Sequence, residues 1–189
     1  MSFDVAASLR RLKPQKKTES LTRRDDGALL FIEQVDVAGA PILLDTTVYI
    51  DVLQDRLPDA VADLLRVRQS NHSSVALAEL SHLLGRLDPA HPQTAKVCQT
   101  IEATIESVPQ HRLQTPSVAV MAEAGILTGL YARLQGLQKQ DKQPLLNDAQ
   151  LFLQALSQGC YLLTRNIGDM DLLQQLQPSG RVLFYRQKV

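Results

Sequence analysis

Short apolar runs alternate with longer helical patterns along most of this 189-residue chain, and this alternation constrains the fold more than any other feature. The clearest apolar runs are ILLD (residues 42–45), CYLLT (160–164) and RVLFYR (181–186). Strands separated by helices pair in parallel, because a parallel connection needs a crossover of a dozen or more residues. The sequence therefore predicts an α/β fold with a central, mainly parallel sheet and helices on both faces.

Weaker sequence patterns predict the remaining strands and helices. Further strands are predicted at ALLFIEQV (28–35), HSSVA (72–76) and RLQTP (112–116). In LAELSHLLGRL (77–87), leucines recur at helical spacing and predict a buried helix face. Helices are also predicted over TTVYIDVL, PDAVADLLRVR, TAKVCQTIEATIESV, residues 117–137, LLNDAQLFLQALSQG and NIGDMDLLQQLQ.

Charge divides the chain into two parts. Up to Arg24, seven Lys or Arg stand against two acids and give a net charge of +5, whereas the whole chain is neutral. Residues 3–12 are predicted to form a short amphipathic helix, and the following polar stretch is typical of a linker. We therefore predict a basic N-terminal arm or linker over residues 1–27 and a folded domain over 28–189. The arm is expected to contact phosphates or an acidic partner, unless it is simply a solvated terminus.

Several classes of protein are disfavoured by what the sequence lacks. There is no apolar run near 18 residues and no secretory signal, so we expect a cytoplasmic protein with no membrane contact, in which Cys98 and Cys160 are reduced structural thiols. Neither GxGxxG nor the P-loop string occurs, which disfavours nucleotide cofactors. The four histidines show no HExxH spacing, and no serine has the glycine-flanked setting of a hydrolase nucleophile.

Acidic residues follow the predicted strands at the places where ligands bind. In open parallel sheets, ligand sites lie beyond the carboxyl ends of the strands. Asp45 ends one apolar strand, and Asp169 lies five residues beyond Thr164, which ends another. Glu79 and Asp148 sit early in predicted helices that could begin at the same edge, although Asp148 could instead favour a helix dipole and Asp169 could be a cap. Convergent carboxylates require a cation, and Mg²⁺ or Mn²⁺ prefers such oxygen ligands, which points to phosphodiester hydrolysis.

Four segments carry a resemblance to a known family. LDTTVYI (44–50), ALAEL (76–80), NDAQLFLQAL (147–156) and LLTRNIGDMD (162–171) resemble the PIN domain, particularly that of VapC-type toxins. The resemblance covers about residues 41–187. Its most specific parts are the strand-Asp-Thr opening and the Thr-Arg-Asn-x-x-Asp segment. The helix after residue 147 departs from the usual pattern, since Phe152 and Leu153 stand where small residues are common.

The resemblance implies a fold, an activity and a site. The fold would be a PIN-like three-layer α/β/α sandwich, and the protein a Mg²⁺- or Mn²⁺-dependent ribonuclease acting on structured RNA. It implies a small antitoxin partner, as in the toxins of toxin–antitoxin pairs, and a homodimer. The metal-binding acids would be Asp45, Glu79, Asp148 and Asp169. The polar residues expected to orient water, metal or phosphate would be Thr47, Thr164 and Asn166.

Two other functions share some of these sequence features. A phosphatase of the haloacid-dehalogenase type also begins with a strand and an aspartate, but it needs a second aspartate two positions on, where this chain has Thr47. A PIN-like fold could also serve as a noncatalytic RNA-binding or protein-binding module. The presence of all four acids favours the nuclease, and the noncatalytic module stays open as the alternative.

Overall fold

The computed structural model describes residues 3–137 and 142–188, and it contains a five-stranded sheet in which every pairing is parallel. The strand order is β3-β2-β1-β4-β5. The strands are β1 (Ile42–Leu44), β2 (Ser70–Ser73), β3 (Leu113–Gln114), β4 (Tyr161–Thr164) and β5 (Val182–Phe184). The predicted α/β class and parallel central sheet are confirmed.

Eight helices flank this sheet in the described part of the chain. They are α1 (Val5–Leu12), α2 (Thr46–Leu53), α3 (Asp59–Val67), α4 (Ser74–Arg86), α5 (Thr94–Glu106), α6 (Val118–Gln135), α7 (Lys142–Ser157) and α8 (Ile167–Leu176). None of the described helices is long and apolar enough to cross a membrane.

The strand order creates one crevice at the carboxyl edge of the sheet. From β1 the chain moves outward to β2 and β3, and then returns to the other side of β1 with β4 and β5. In the register, Leu43 lies opposite Asn71 on one side and Leu162 on the other. The order reverses between β1 and β4, and ligands of open α/β sheets bind at such a switch point. The segments that follow β1 and β4 therefore carry the residues of interest.

The prediction of a strand over residues 28–35 was wrong. This segment forms two short 3₁₀ turns, Asp26–Ala28 and Ile32–Gln34, and only Phe31 makes a bridge, to Phe184 of β5. The Gln34 side chain accepts a hydrogen bond from the Phe31 backbone N–H at 2.8 Å, which takes a donor that a strand ladder would need. The apolar residues Leu29 and Ile32 are nevertheless buried.

The N-terminal segment packs along α6 and α8. Leu12 is fully buried, and Arg133 of α6 donates hydrogen bonds to the carbonyl oxygens of Pro14 and Lys17. Arg24 forms an ion pair with the fully buried Asp171 of α8. The boundary at residue 28 stays a prediction, but several cations of the arm already have partners within the chain.

The unusual residues of α7 belong to the core. Phe152 and Leu153 are both buried, at 1% and 4% exposure. Phe152 lies against Gly180, where any side chain would meet the aromatic ring. The large side chain of Phe152 in this helix is thus accommodated by a glycine in the segment before β5.

Candidate active site

Asp45 lies directly after β1 and begins α2 as its N-cap. Only 2% of the residue is exposed. Its Oδ2 accepts hydrogen bonds from Thr47 Oγ1 at 2.7 Å and Thr164 Oγ1 at 2.5 Å. Its Oδ1 accepts from the backbone N–H of Thr46 at 2.7 Å. Burial raises the pKa of the Asp45 carboxyl, and the two threonine hydroxyls oppose this rise without cancelling it.

Glu79 reaches the same edge from α4. Its Oε1 accepts a hydrogen bond from Asn147 Nδ2 at 2.9 Å, and its Oε2 accepts from Thr46 Oγ1. Both partners of Glu79 are next in sequence to another acid of the site: Thr46 follows Asp45, and Asn147 precedes Asp148. The negative charge of Glu79 also contributes to the raised pKa of Asp45. Glu79 therefore lies near the other acids, and its role as a metal ligand stays a prediction.

Asn166 joins Asp148 to Asp169. Its Nδ2 lies 3.0 Å from Asp148 Oδ2 and 3.2 Å from Asp169 Oδ2. Asn166 is also the N-cap of α8, accepting from the Asp169 backbone N–H at 3.3 Å. The second oxygen of Asp169 accepts a hydrogen bond from Tyr131 of α6 at 2.7 Å.

The structural roles that the sequence allows for Asp148 and Asp169 can be compared with their places in the helices, and Asp169 lies in the first turn of α8. Asp148 is the seventh residue of α7 rather than a residue of its first turn, because the helix begins at Lys142. The helix-dipole role considered for Asp148 therefore loses its basis, since that effect falls off within the first turn. Asn166, and not Asp169, caps α8.

Asp148 shows that the four carboxylates share one electrostatic environment. Its pKa lies well above the usual value, first because of burial and then because Asp45, Asp169 and Glu79 repel its negative charge. The hydrogen bond from Asn166 opposes this shift. A group in this position gains either from a proton or from a nearby cation.

The chemistry of the donors suits a hard divalent cation. The available ligands are carboxylate, hydroxyl and amide oxygens, which Mg²⁺ and Mn²⁺ prefer to the nitrogen and sulfur ligands typical of zinc. Among the described residues, no three His, Cys, Asp or Glu side chains lie close enough in their present positions to hold one metal ion. Each carboxylate instead accepts hydrogen bonds from Thr, Asn or Tyr donors of the chain, so shared ligation requires these side chains to rearrange.

All seven residues predicted for the site meet at this edge of the sheet, although their chemical roles stay predictions. The sequence did not identify Thr46, Tyr131 or Asn147. Thr46 and Asn147 are direct neighbours of Asp45 and Asp148, and this adjacency was the available signal. Tyr131 gave no signal, since it reaches Asp169 only through the packing of α6 against α8.

Comparison with known proteins decides the fold. No protein-family model matches the chain, and no curated protein matches its sequence. Among solved structures, a chain of VapBC-5, a member of the VapBC family of toxin-antitoxin systems from Mycobacterium tuberculosis, is 19% identical, with a TM-score of 0.55 over 78% of this chain and 100% of that chain. A chain of VapBC2 from Rickettsia felis, bound to a DNA fragment from its promoter, is 15% identical, with a TM-score of 0.55 over 77% and 99%.

A third structure, of FitAcB from Neisseria gonorrhoeae, is 20% identical, with a TM-score of 0.54 over 76% of this chain and 96% of that chain. The chain has the VapC-type PIN fold. The sequence resemblance to PIN domains is thereby confirmed at the level of the fold. In this PIN fold, the four acids lie at the switch point between β1 and β4, where such sheets bind ligands.

Proposed function

We propose that the protein is a Mg²⁺- or Mn²⁺-dependent ribonuclease that hydrolyses phosphodiester bonds in RNA and serves as the toxin of a toxin–antitoxin pair. The observation that supports this most is the crowding of Asp148 by three other acids at the switch point of a PIN fold. Buried carboxylates that repel one another destabilise the fold, and a bound cation would offset this cost, so the cluster points to a cation site.

The acids that would hold the cation are Asp45, Glu79, Asp148 and Asp169. When bound, the ion supplies activation of water and stabilisation of negative charge on the phosphodiester. Thr47 and Thr164 fix one oxygen of Asp45, and Asn166 fixes one oxygen each of Asp148 and Asp169. These hydrogen bonds would hold the carboxylates in place for a cation at the carboxyl edge of the sheet.

The proposed protein partner is a small antitoxin. It is suggested by a neighbour that belongs to the VapBC family of toxin-antitoxin systems, and by a groove of about 640 Å³ between α2, α4 and α5. Leu53, Leu83 and Ile101 line this groove, and Arg86 and Lys96 stand beside them. An apolar segment with acidic flanks would fit these residues. The homodimer implied by the resemblance stays a prediction.

Cleavage of labelled RNA by the purified protein tests the proposed activity. We expect cleavage in Mg²⁺ or Mn²⁺, none in EDTA, and none by Asp45→Asn in any of these buffers. Glu102→Gln is the matched control, because it removes an acid from the exposed face of α5, away from the site. Absence of cleavage by the parent protein, with retained RNA or protein binding, would favour the noncatalytic PIN-like module.

A further inference from the structure

The Thr-Arg-Asn segment at residues 164–166 supplies two predicted site residues, but the arginine between them has no part in the site described so far. We propose that Arg165 binds a phosphate of the RNA backbone at the mouth of the site, and that Asp51 and Tyr185 hold its guanidinium in place. This inference rests on the proposed function, which names RNA as the substrate.

Arg165 lies in the loop that carries the acidic cluster. Its backbone N–H donates to Thr47 Oγ1 at 3.3 Å. The residue before it, Thr164, binds Asp45, and the residue after it, Asn166, binds Asp148 and Asp169. The base of the arginine side chain is therefore fixed beside the carboxylates.

A buried carboxylate holds the guanidinium from one side. Arg165 Nε lies 3.0 Å from Asp51 Oδ1 and 2.8 Å from Asp51 Oδ2. The Asp51 side chain is fully buried and also accepts a hydrogen bond from the Tyr185 hydroxyl at 2.8 Å. Burial and the neighbouring Asp51 carboxylate raise the pKa of Tyr185 above its usual range, so the hydroxyl remains a donor at neutral pH.

The far end of the same guanidinium remains available. One third of the Arg165 side chain is exposed, and within the described residues neither of its Nη atoms donates a hydrogen bond to the protein. Arg24 provides a contrast. Its Nε also binds a fully buried aspartate, Asp171, but its Nη2 is occupied by Gln174 at 2.6 Å. Arg24 thus uses Nε and one Nη within the protein, whereas Arg165 uses Nε alone.

A phosphate is the ligand that the surroundings favour. Four carboxylates repel an anionic RNA backbone, so the unbonded Nη–H donors of an arginine in the same loop would offset part of that repulsion where a phosphate binds. The two free Nη groups of an arginine match two phosphate oxygens, a geometry that lysine cannot reproduce. Because Asp51 already holds Nε, the side chain loses less freedom on binding than a free surface arginine.

RNA affinity at several salt concentrations tests this role. Binding of labelled RNA is measured in Ca²⁺, a hard cation that accepts the same oxygen ligands, for the parent and three full-length variants. Asp51→Asn/Arg165→Gln removes the pair without changing the net charge, Arg165→Lys keeps the charge without the planar group, and Arg66→Gln removes an exposed arginine on α3 as the control. Thermal melting establishes that each variant is folded.

We expect the double variant to bind RNA about tenfold more weakly, as for the loss of one charged hydrogen-bonded contact. The slope of log affinity against log salt should shrink by about 0.7 to 0.9, as for one phosphate contact. Arg165→Lys should keep the slope but lose affinity, and Arg66→Gln should match the parent.

Parental affinity and slope in both Arg165 variants would overturn the inference and leave the nuclease proposal standing. An equal loss in Arg66→Gln would also overturn it, since the effect would then reflect overall charge. Arg165-dependent RNA binding by a parent protein that never cleaves RNA would support the inference and refute the proposed activity. Absence of RNA binding by the parent would refute both.

Discussion

Gly180→Ala offers a quantitative test of how the core is packed behind the site. A Cβ at position 180 would lie 2.1 Å from Cζ and 2.4 Å from Cε2 of Phe152. Carbon atoms in contact normally stay about 3.5–4.0 Å apart, and Phe152 is only 1% exposed, so the ring cannot move into solvent. Overpacking of this kind costs about 1–3 kcal/mol, which lowers the melting temperature of a protein of this size by about 2–12 °C.

The assay is a double-mutant cycle in urea and thermal unfolding. Phe152→Leu removes the far edge of the ring, so Gly180→Ala should cost much less in that background than in the parent. Gly125→Ala is the matched control. Its Cβ would meet nothing within 4 Å on the exposed side of α6, and it should stabilise the protein slightly because alanine favours a helix. Equal costs of Gly180→Ala in the two backgrounds would refute the proposed contact.

Three further predictions concern charge and hydrogen bonding around the site. In EDTA, Asp148→Asn should raise the free energy of unfolding at neutral pH. Because the pKa of Asp148 is raised in the folded protein, its protonated form favours folding at acid pH, and this contribution is lost as the pH rises through the folded-state pKa. Parallel stability curves for parent and variant between pH 5 and 8 would contradict this. Arg24→Ala should cost about 2–3 kcal/mol in urea unfolding, since Asp171 would remain buried without its cation, and an unchanged midpoint would show that the pair contributes little. Tyr131→Phe should slow RNA cleavage with a loss of only about 1 kcal/mol of stability, and parental cleavage rates would exclude a positioning role for the hydroxyl.

The sequence was most informative where burial and chemistry coincide. Strands β1, β4 and β5 are covered on both faces, and this produced the continuous apolar runs from which they were predicted. Asp45 stood out because a carboxylate next to such a run is poorly solvated. The other acids of the site were then expected at the same edge, because the carboxyl ends of parallel strands lie together.

Prediction failed where tertiary contacts override local pattern. Residues 28–35 contain an apolar run typical of a strand, but they form a single β-bridge, from Phe31 to Phe184 of the edge strand β5. Asp51 and Arg165 are 114 residues apart in sequence, so no local spacing could relate them. Likewise, the polar stretch before residue 28 is typical of a linker in sequence, although Arg24 and Asp171 form an ion pair across 147 residues. Such pairs become visible only when α2, α8 and the arm are placed together.

Direct binding of Mn²⁺ tests most sharply whether the four carboxylates share a cation. Electron paramagnetic resonance of free Mn²⁺, titrated with protein, counts the bound ions without any need for RNA. We predict that the parent and Glu102→Gln bind Mn²⁺ alike, and that Asp45→Asn and Asp148→Asn lose most of this binding while remaining folded. Parental Mn²⁺ binding by both aspartate variants, or no binding by the parent, would contradict the assignment of the site.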